Sequence, residues 1–72
     1  MKNEEKIELL AEIMGVESED VSLDMLLSDF EEWDSLAALS LMSVLYNKFH
    51  KRITPADVKQ LRTIDDVLNL ME

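Results

Sequence analysis

Trp33-Asp34-Ser35-Leu36 is the stretch of this 72-residue chain where residue type and position best suit chemistry. Asp34 is a good N-cap, so the Ser35 hydroxyl falls in the first turn of a helix and projects into solvent near backbone N–H groups without intrahelical partners. The helix dipole there favours an anion, and a phosphodiester on Ser35 would sit well. Other chemistries are poorly provided for. The chain has no Cys and one His, His50, which removes disulfides, thiolate zinc sites and iron–sulfur clusters. Asp29, Glu31, Glu32 and Asp34 lack the spacing of a calcium loop. If Ser35 and His50 share a helix, their separation of 15 positions at ~1.5 Å each holds them ~22 Å apart, too far for a hydrolytic pair. No Gly-x-Ser-x-Gly elbow, P-loop or dinucleotide fingerprint occurs.

The elements that must position Ser35 read as helices. Asn3 is the expected N-cap of a first helix over about 4–14: Glu4 and Glu5 suit its positive end, Ile7, Leu10, Ala11 and Met14 share a face, and Gly15 stops it. Residues 16–34 show no sustained period and read as a long loop pinned to a core, with one turn around Leu23–Leu27 and Trp33 as an anchor. A second helix runs from Ser35 to about Lys51, with Lys48, Lys51 and Arg52 at the negative end of its dipole and His50 capping or complementing it. Its apolar face centres on Ala38, Leu41, Met42, Leu45 and Phe49. Ser40, Ser43, Asn47, His50 and Lys51 form a narrow polar stripe, so this helix is expected to be wrapped on most sides. Leu36 falls in the polar stripe, an apolar side chain predicted to face water. Thr54-Pro55-Ala56-Asp57 opens a short helix at about 55–60, and Thr63-Ile64-Asp65-Asp66 opens a last one to about 71.

The expected fold is all-α, a small four-helix bundle with three main helices, a short third helix and a long loop between the first two. Its core is expected from Ile7, Leu10, Met14, Ala38, Leu41, Leu45, Phe49, Val58, Ile64, Val67 and Leu68. Met14, Met25, Met42 and Met71 read as core filler. One domain spans 1–72, and a monomer is expected.

Charge adds a constraint. The net charge of −9 argues against nucleic acid. Residues 1–34 carry twelve acids against Lys2 and Lys6, whereas residues 35–72 carry four acids against five bases. The sign changes at Asp34–Ser35. The longest uncharged stretch, Ser35 to Asn47, is 13 residues against the ~20 of a membrane span. Met-Lys-Asn-Glu-Glu does not open like a signal peptide, so a cytoplasmic location is expected.

With Asp34-Ser35-Leu36 at the head of the central helix, the chain resembles the acyl carrier protein family over essentially its whole length: first helix, long loop, motif, central helix, short third helix and final helix occur in the family's order. Asp-Ser-Leu alone also describes an ordinary helix start; its place in this layout makes it specific. The resemblance implies that 4′-phosphopantetheine is attached covalently to Ser35. It implies a non-catalytic carrier that holds an acyl, aminoacyl or peptidyl group as a thioester and presents it to partner enzymes. A chain without Cys could hold a thioester only on such an added group. The implied partners are a phosphopantetheinyl transferase and acyl- or aminoacyl-loading and acyl-processing enzymes.

The chain also departs from the family's pattern. Acidic residues that many members place two, five, eleven and twelve positions after the Ser are here Ala37, Ser40, Tyr46 and Asn47, and Glu31-Glu32-Trp33 replaces a common Gly before the motif. This implies a discrete carrier of a specialised pathway rather than the housekeeping fatty-acid carrier. Partners are expected to meet Leu36, Ser40 and Ser43, with Asp34, Glu31 and Glu32 as an acidic rim. The competing reading is an unmodified acidic helical adaptor that binds a partner through Leu36 and the acidic loop.

Overall fold

Among the described residues four helices form in chain order: α1 (Asn3–Met14), α2 (Ser35–Phe49), α3 (Pro55–Lys59) and α4 (Ile64–Leu68). The computed structural model describes residues 2–72. α1 starts one residue earlier than expected. Lys2, not Asn3, is its extended N-cap residue, and the Glu5 carboxylate accepts the Lys2 N–H at 3.5 Å, closing the first turn from the acid side. Gly15 ends the helix at φ 75°, a left-handed conformation in which glycine has no Cβ penalty. Its N–H returns to Glu12 O at 3.2 Å, and the Val16 N–H to Ala11 O at 2.9 Å.

α2 begins at Ser35 as expected but ends at Phe49, two residues short of Lys51. His50 takes the left-handed cap at φ 54°, and the Lys51 N–H turns back to Leu45 O at 3.0 Å. Its burial also differs from the expected face. Ala37, Leu41 and Leu45, spaced four apart, make the buried line, while Ala38, Met42 and Phe49 are half-buried. Leu36, Leu39 and Tyr46 are exposed, so α2 is not wrapped on most sides. So short a chain has too little material to enclose a 15-residue helix. α1 lies against α2 on one side and against α4 on another.

α3 and α4 are opened by matching capping boxes. Thr54 Oγ1 accepts from Asp57 N at 3.2 Å while Asp57 Oδ2 accepts from Thr54 N at 2.9 Å; Thr63 and Asp66 repeat the arrangement at 3.1 Å each way. The final helix stops at Leu68 instead of about 71, so the bundle has two long helices and two of five residues where three long ones were expected. Leu70 N to Val67 O and Met71 N to Leu68 O, both 3.0 Å, carry the chain on in tighter turns that bury Met71.

The long loop contains two 3-10 turns, Ser18–Asp20 and Leu27–Asp29. The second adjoins the expected turn; the first was not anticipated. Leu26 and Thr63 form an isolated antiparallel bridge. Around it Leu27 N donates to Arg62 O at 2.8 Å, Ile64 N to Met25 O at 3.0 Å and Asp65 N to Leu23 O at 3.2 Å. The loop is therefore sewn to the α3–α4 connection, which satisfies backbone groups at its closest approach to the core. Leu10, Leu41, Leu45, Ile64 and Val67 are fully buried, joined by Ala11, Met14, Ala37, Leu68 and Met71, with Val21 and Leu27 contributed by the loop. Ile7 is half-buried, and Val58, in α3, is buried outside this cluster.

Candidate functional site

Asp34 is extended, and its Oδ1 accepts the Ala37 N–H at 2.9 Å. That bond fixes the first turn of α2 and leaves Ser35 as its first helical residue, exposed. The approach is set by two short turns: Trp33 N donates to Phe30 O at 3.2 Å and Asp34 N to Glu32 O at 3.1 Å. Trp33 is half-buried against the core, as expected of an anchor.

The residues picked from the sequence divide cleanly in space. Leu36 is 73% exposed, in agreement with its place in the polar stripe. Ser40 and Ser43 are exposed on the same side of α2, with the Asn47 amide donating to Ser43 Oγ at 3.2 Å. Glu31 and Glu32 are exposed in the loop immediately before Asp34. His50 lies at the far end of α2 from Ser35. Ser35 thus has an acidic loop on one side and a helix without acids on the other.

Sequence reasoning missed a groove of about 570 Å³ that opens at Ser35 and runs between α2 and α3. Leu39 and Met42 line it from α2, Pro55 and Lys59 from α3, and Trp33 stands beside Ser35. Its lining is mainly apolar, with Asp34 and Lys59 as the charged groups. The signal was present: Ser35, Ala38, Leu39 and Met42, the residues that line it from α2, recur at three- and four-residue spacing, the mark of one helical face.

An accessible hydroxyl at a helix start, on a bundle whose core is filled, suits a module that presents something at its surface. The family model described as the phosphopantetheine attachment site matches residues 7–71. Acyl carrier proteins of Chlamydia trachomatis serovars L2, D and A are each 33% identical over 64 residues, covering 89% of this chain and 83% of theirs. No solved structure gives a significant match. The chain belongs to the acyl carrier protein family, and the cofactor of that family is phosphopantetheine. The residues present fit such a group: an unhindered hydroxyl to bear it and an open, largely apolar groove beside that hydroxyl. Among the described residues, no helix is long and apolar enough to cross a membrane.

Proposed function

We propose that Ser35 is the residue that bears 4′-phosphopantetheine, and that the chain is a non-catalytic carrier acting as a substrate of other enzymes. The observation that supports this most is the Ser35 hydroxyl, exposed on the first residue of α2 while the neighbouring Asp34 carboxylate is committed to the Ala37 N–H. In the attachment, Ser35 Oγ bonds to the phosphorus of the phosphopantetheine moiety of coenzyme A, the adenosine bisphosphate leaves, and the hydroxyl proton passes to a base of the transferase. Once attached, the group supplies the thiol on which an acyl, aminoacyl or peptidyl cargo is held as a thioester. The chain's own part is to keep the hydroxyl accessible, fix its helix start and present a docking surface.

That surface is Leu36, Ser40 and Ser43 with Asp34, Glu31 and Glu32 as its rim, met by a phosphopantetheinyl transferase and by loading and acyl-processing enzymes. The acid-free length of α2 supports a specialised pathway rather than housekeeping fatty-acid synthesis. The carrier is proposed to act as a cytoplasmic monomer. Intact mass spectrometry tests the central point. After incubation with a broad-specificity transferase and coenzyme A, the wild type gains one phosphopantetheine mass and Ser35→Ala gains none. A wild type that gains nothing across several transferases overturns the carrier reading and leaves the unmodified adaptor.

A further inference from the structure

α2 leaves a second exposed region at the end opposite Ser35. Tyr46 stands eleven positions after Ser35, ~16 Å along the helix, and is 53% exposed. The Arg52 guanidinium lies over its ring, 5.4 Å from the centroid, within the range of a cation–π contact. Arg52 is itself exposed, and the turn that returns it to the helix is fixed: His50 takes the left-handed cap and the Lys51 N–H donates to Leu45 O at 3.0 Å. The helix dipole accounts for a cation inside the last turn, as Lys48 is. It does not account for a cation beyond the cap that folds back over an exposed tyrosine. Lys48 stands ~200° around the helix from Tyr46 and lines a separate groove with Glu12 of α1, so its charge serves the other flank.

The sign of this region is uniform in a chain whose net charge is −9. From Ser35 to Ala56 there is no acid, and the next one, Asp57, is engaged with the Thr54 N–H in the α3 capping box. We infer that Tyr46 and Arg52, with Lys51 beside them, form a docking surface for an acidic segment of a partner protein that also carries apolar side chains. Tyr and Arg are residue types in which binding energy concentrates. Here they are stacked before contact, which lowers the cost of ordering them. Carboxylates of the partner meet Arg52 and Lys51, and its apolar groups lie on the Tyr46 ring and on Leu39, two turns earlier and 60% exposed. An extended anionic surface, a bilayer or a nucleic acid, fits less well, because it would also face the twelve acids of residues 1–34. A protein's acidic patch is local. The ~16 Å between Ser35 and Tyr46 exceeds the Debye length of ~8 Å at physiological salt, so the acidic loop and this cationic end are met separately. A partner that engages both is held in one direction along α2, its basic groups toward Glu31 and Glu32 and its acidic groups toward Arg52. The inference stands on this region alone and does not require attachment at Ser35.

NMR backbone amide shifts of the isotope-labelled, unmodified chain test it, with a capped peptide of Glu and Leu as the probe and the same peptide with Lys for Glu as the control. The Glu peptide is expected to shift Tyr46, Lys51, Arg52 and Ile53 saturably, with a Kd on the order of 1 mM. Arg52→Glu, at an exposed position, keeps the dispersed spectrum of a folded chain and weakens binding about tenfold; the neutral Arg52→Gln falls between the two. Tyr46→Ser, which removes the ring but no charge, weakens binding several-fold and leaves its salt dependence unchanged. The absence of a saturable shift, equal affinity for the Lys peptide, or Arg52→Glu and Arg52→Gln binding as tightly as the wild type overturns the surface. Movement of the same amides when the free protein is concentrated assigns the region to a second copy of the chain. Their broadening by phosphatidylserine vesicles without any response to the Glu peptide assigns it to a membrane. Either result overturns the acidic partner.

Discussion

The Asp34 carboxylate and the Ala37 N–H are joined at 2.9 Å, one turn into α2 and on either side of Ser35. The same bond that starts the helix therefore fixes where the Ser35 hydroxyl stands. Asp34→Ala should cost about 1 kcal/mol of stability, the usual loss for an N-cap, whereas Asp34→Asn, which keeps an acceptor, should cost less. Urea denaturation gives the two values. Equal stability of wild type and Asp34→Ala would show that the cap does not contribute to the fold.

The interior carries a larger effect. Leu45 is fully buried in the middle of α2, and Leu45→Ala should cost ~2–5 kcal/mol, a large part of the ~5–15 kcal/mol of a folded domain. Leu39→Ala, at a position 60% exposed, should stay within ~0.5 kcal/mol of wild type. Chemical denaturation that found the two alike would place the core on the wrong side of α2.

Much of this was legible in the sequence because the signals were local. Thr54 and Thr63 with their acids three residues on named two helix starts, Gly15 named a stop, and Leu10, Leu41, Leu45 and Ile64 named the core. Ser35 and Leu36 were placed by Asp34 and the helical period alone. What was not legible was tertiary. Whether Ala37 or Ala38 is buried depends on where α1 settles against α2, and two small neighbours differ by only 100° around a helix. The end of α2 at His50 had no glycine to announce it. The bridge between Leu26 and Thr63 joins segments far apart in the chain, and the groove exists only once α3 lies beside α2.

His50 is held at φ 54° without being glycine. A left-handed conformation costs an L-residue ~1–2 kcal/mol, and glycine removes that cost while adding ~0.5–1 kcal/mol of unfolded-state entropy. His50→Gly should therefore raise stability by about 0.5 kcal/mol, and His50→Val, β-branched, should lower it. Thermal and urea unfolding of the pair check the sign; a stabilised His50→Val would exclude backbone strain at this cap.

Asp66 supplies a pH signature. The Thr63 N–H, first, and the Arg62 N–H, second, hold its carboxyl below the ordinary value of 3.8. A lowered folded-state pKa means the unfolded chain binds the proton more readily, so the contribution is present above pH 3.8 and is lost as the pH falls through the folded-state value. Asp66→Asn should therefore flatten the acid limb of the stability curve below about pH 4 and leave its shape near pH 7 unchanged. An acid limb as steep as that of the wild type would assign the dependence to other carboxylates.

Recognition around Ser35 should separate into two kinetic parts. Leu36 is 73% exposed on an acid-free helix, and Glu31 and Glu32 stand on the loop side of the same residue. A central apolar anchor acts after contact and governs the lifetime of a complex, whereas rim charges act at a distance and govern association and its salt dependence. With a phosphopantetheinyl transferase as the partner, Leu36→Ala should leave the fold intact, raise the dissociation rate and lower turnover, with the salt dependence of association unchanged. Glu31→Lys combined with Glu32→Lys should do the reverse: slow association at low salt, flatten its dependence on ionic strength, and leave dissociation near the wild-type rate. Stopped-flow association and dissociation at several NaCl concentrations distinguish the two. If Leu36→Ala instead alters only the salt dependence, or the paired Lys variant only the lifetime, the anchor and the rim have been assigned to the wrong residues and docking runs over another part of α2.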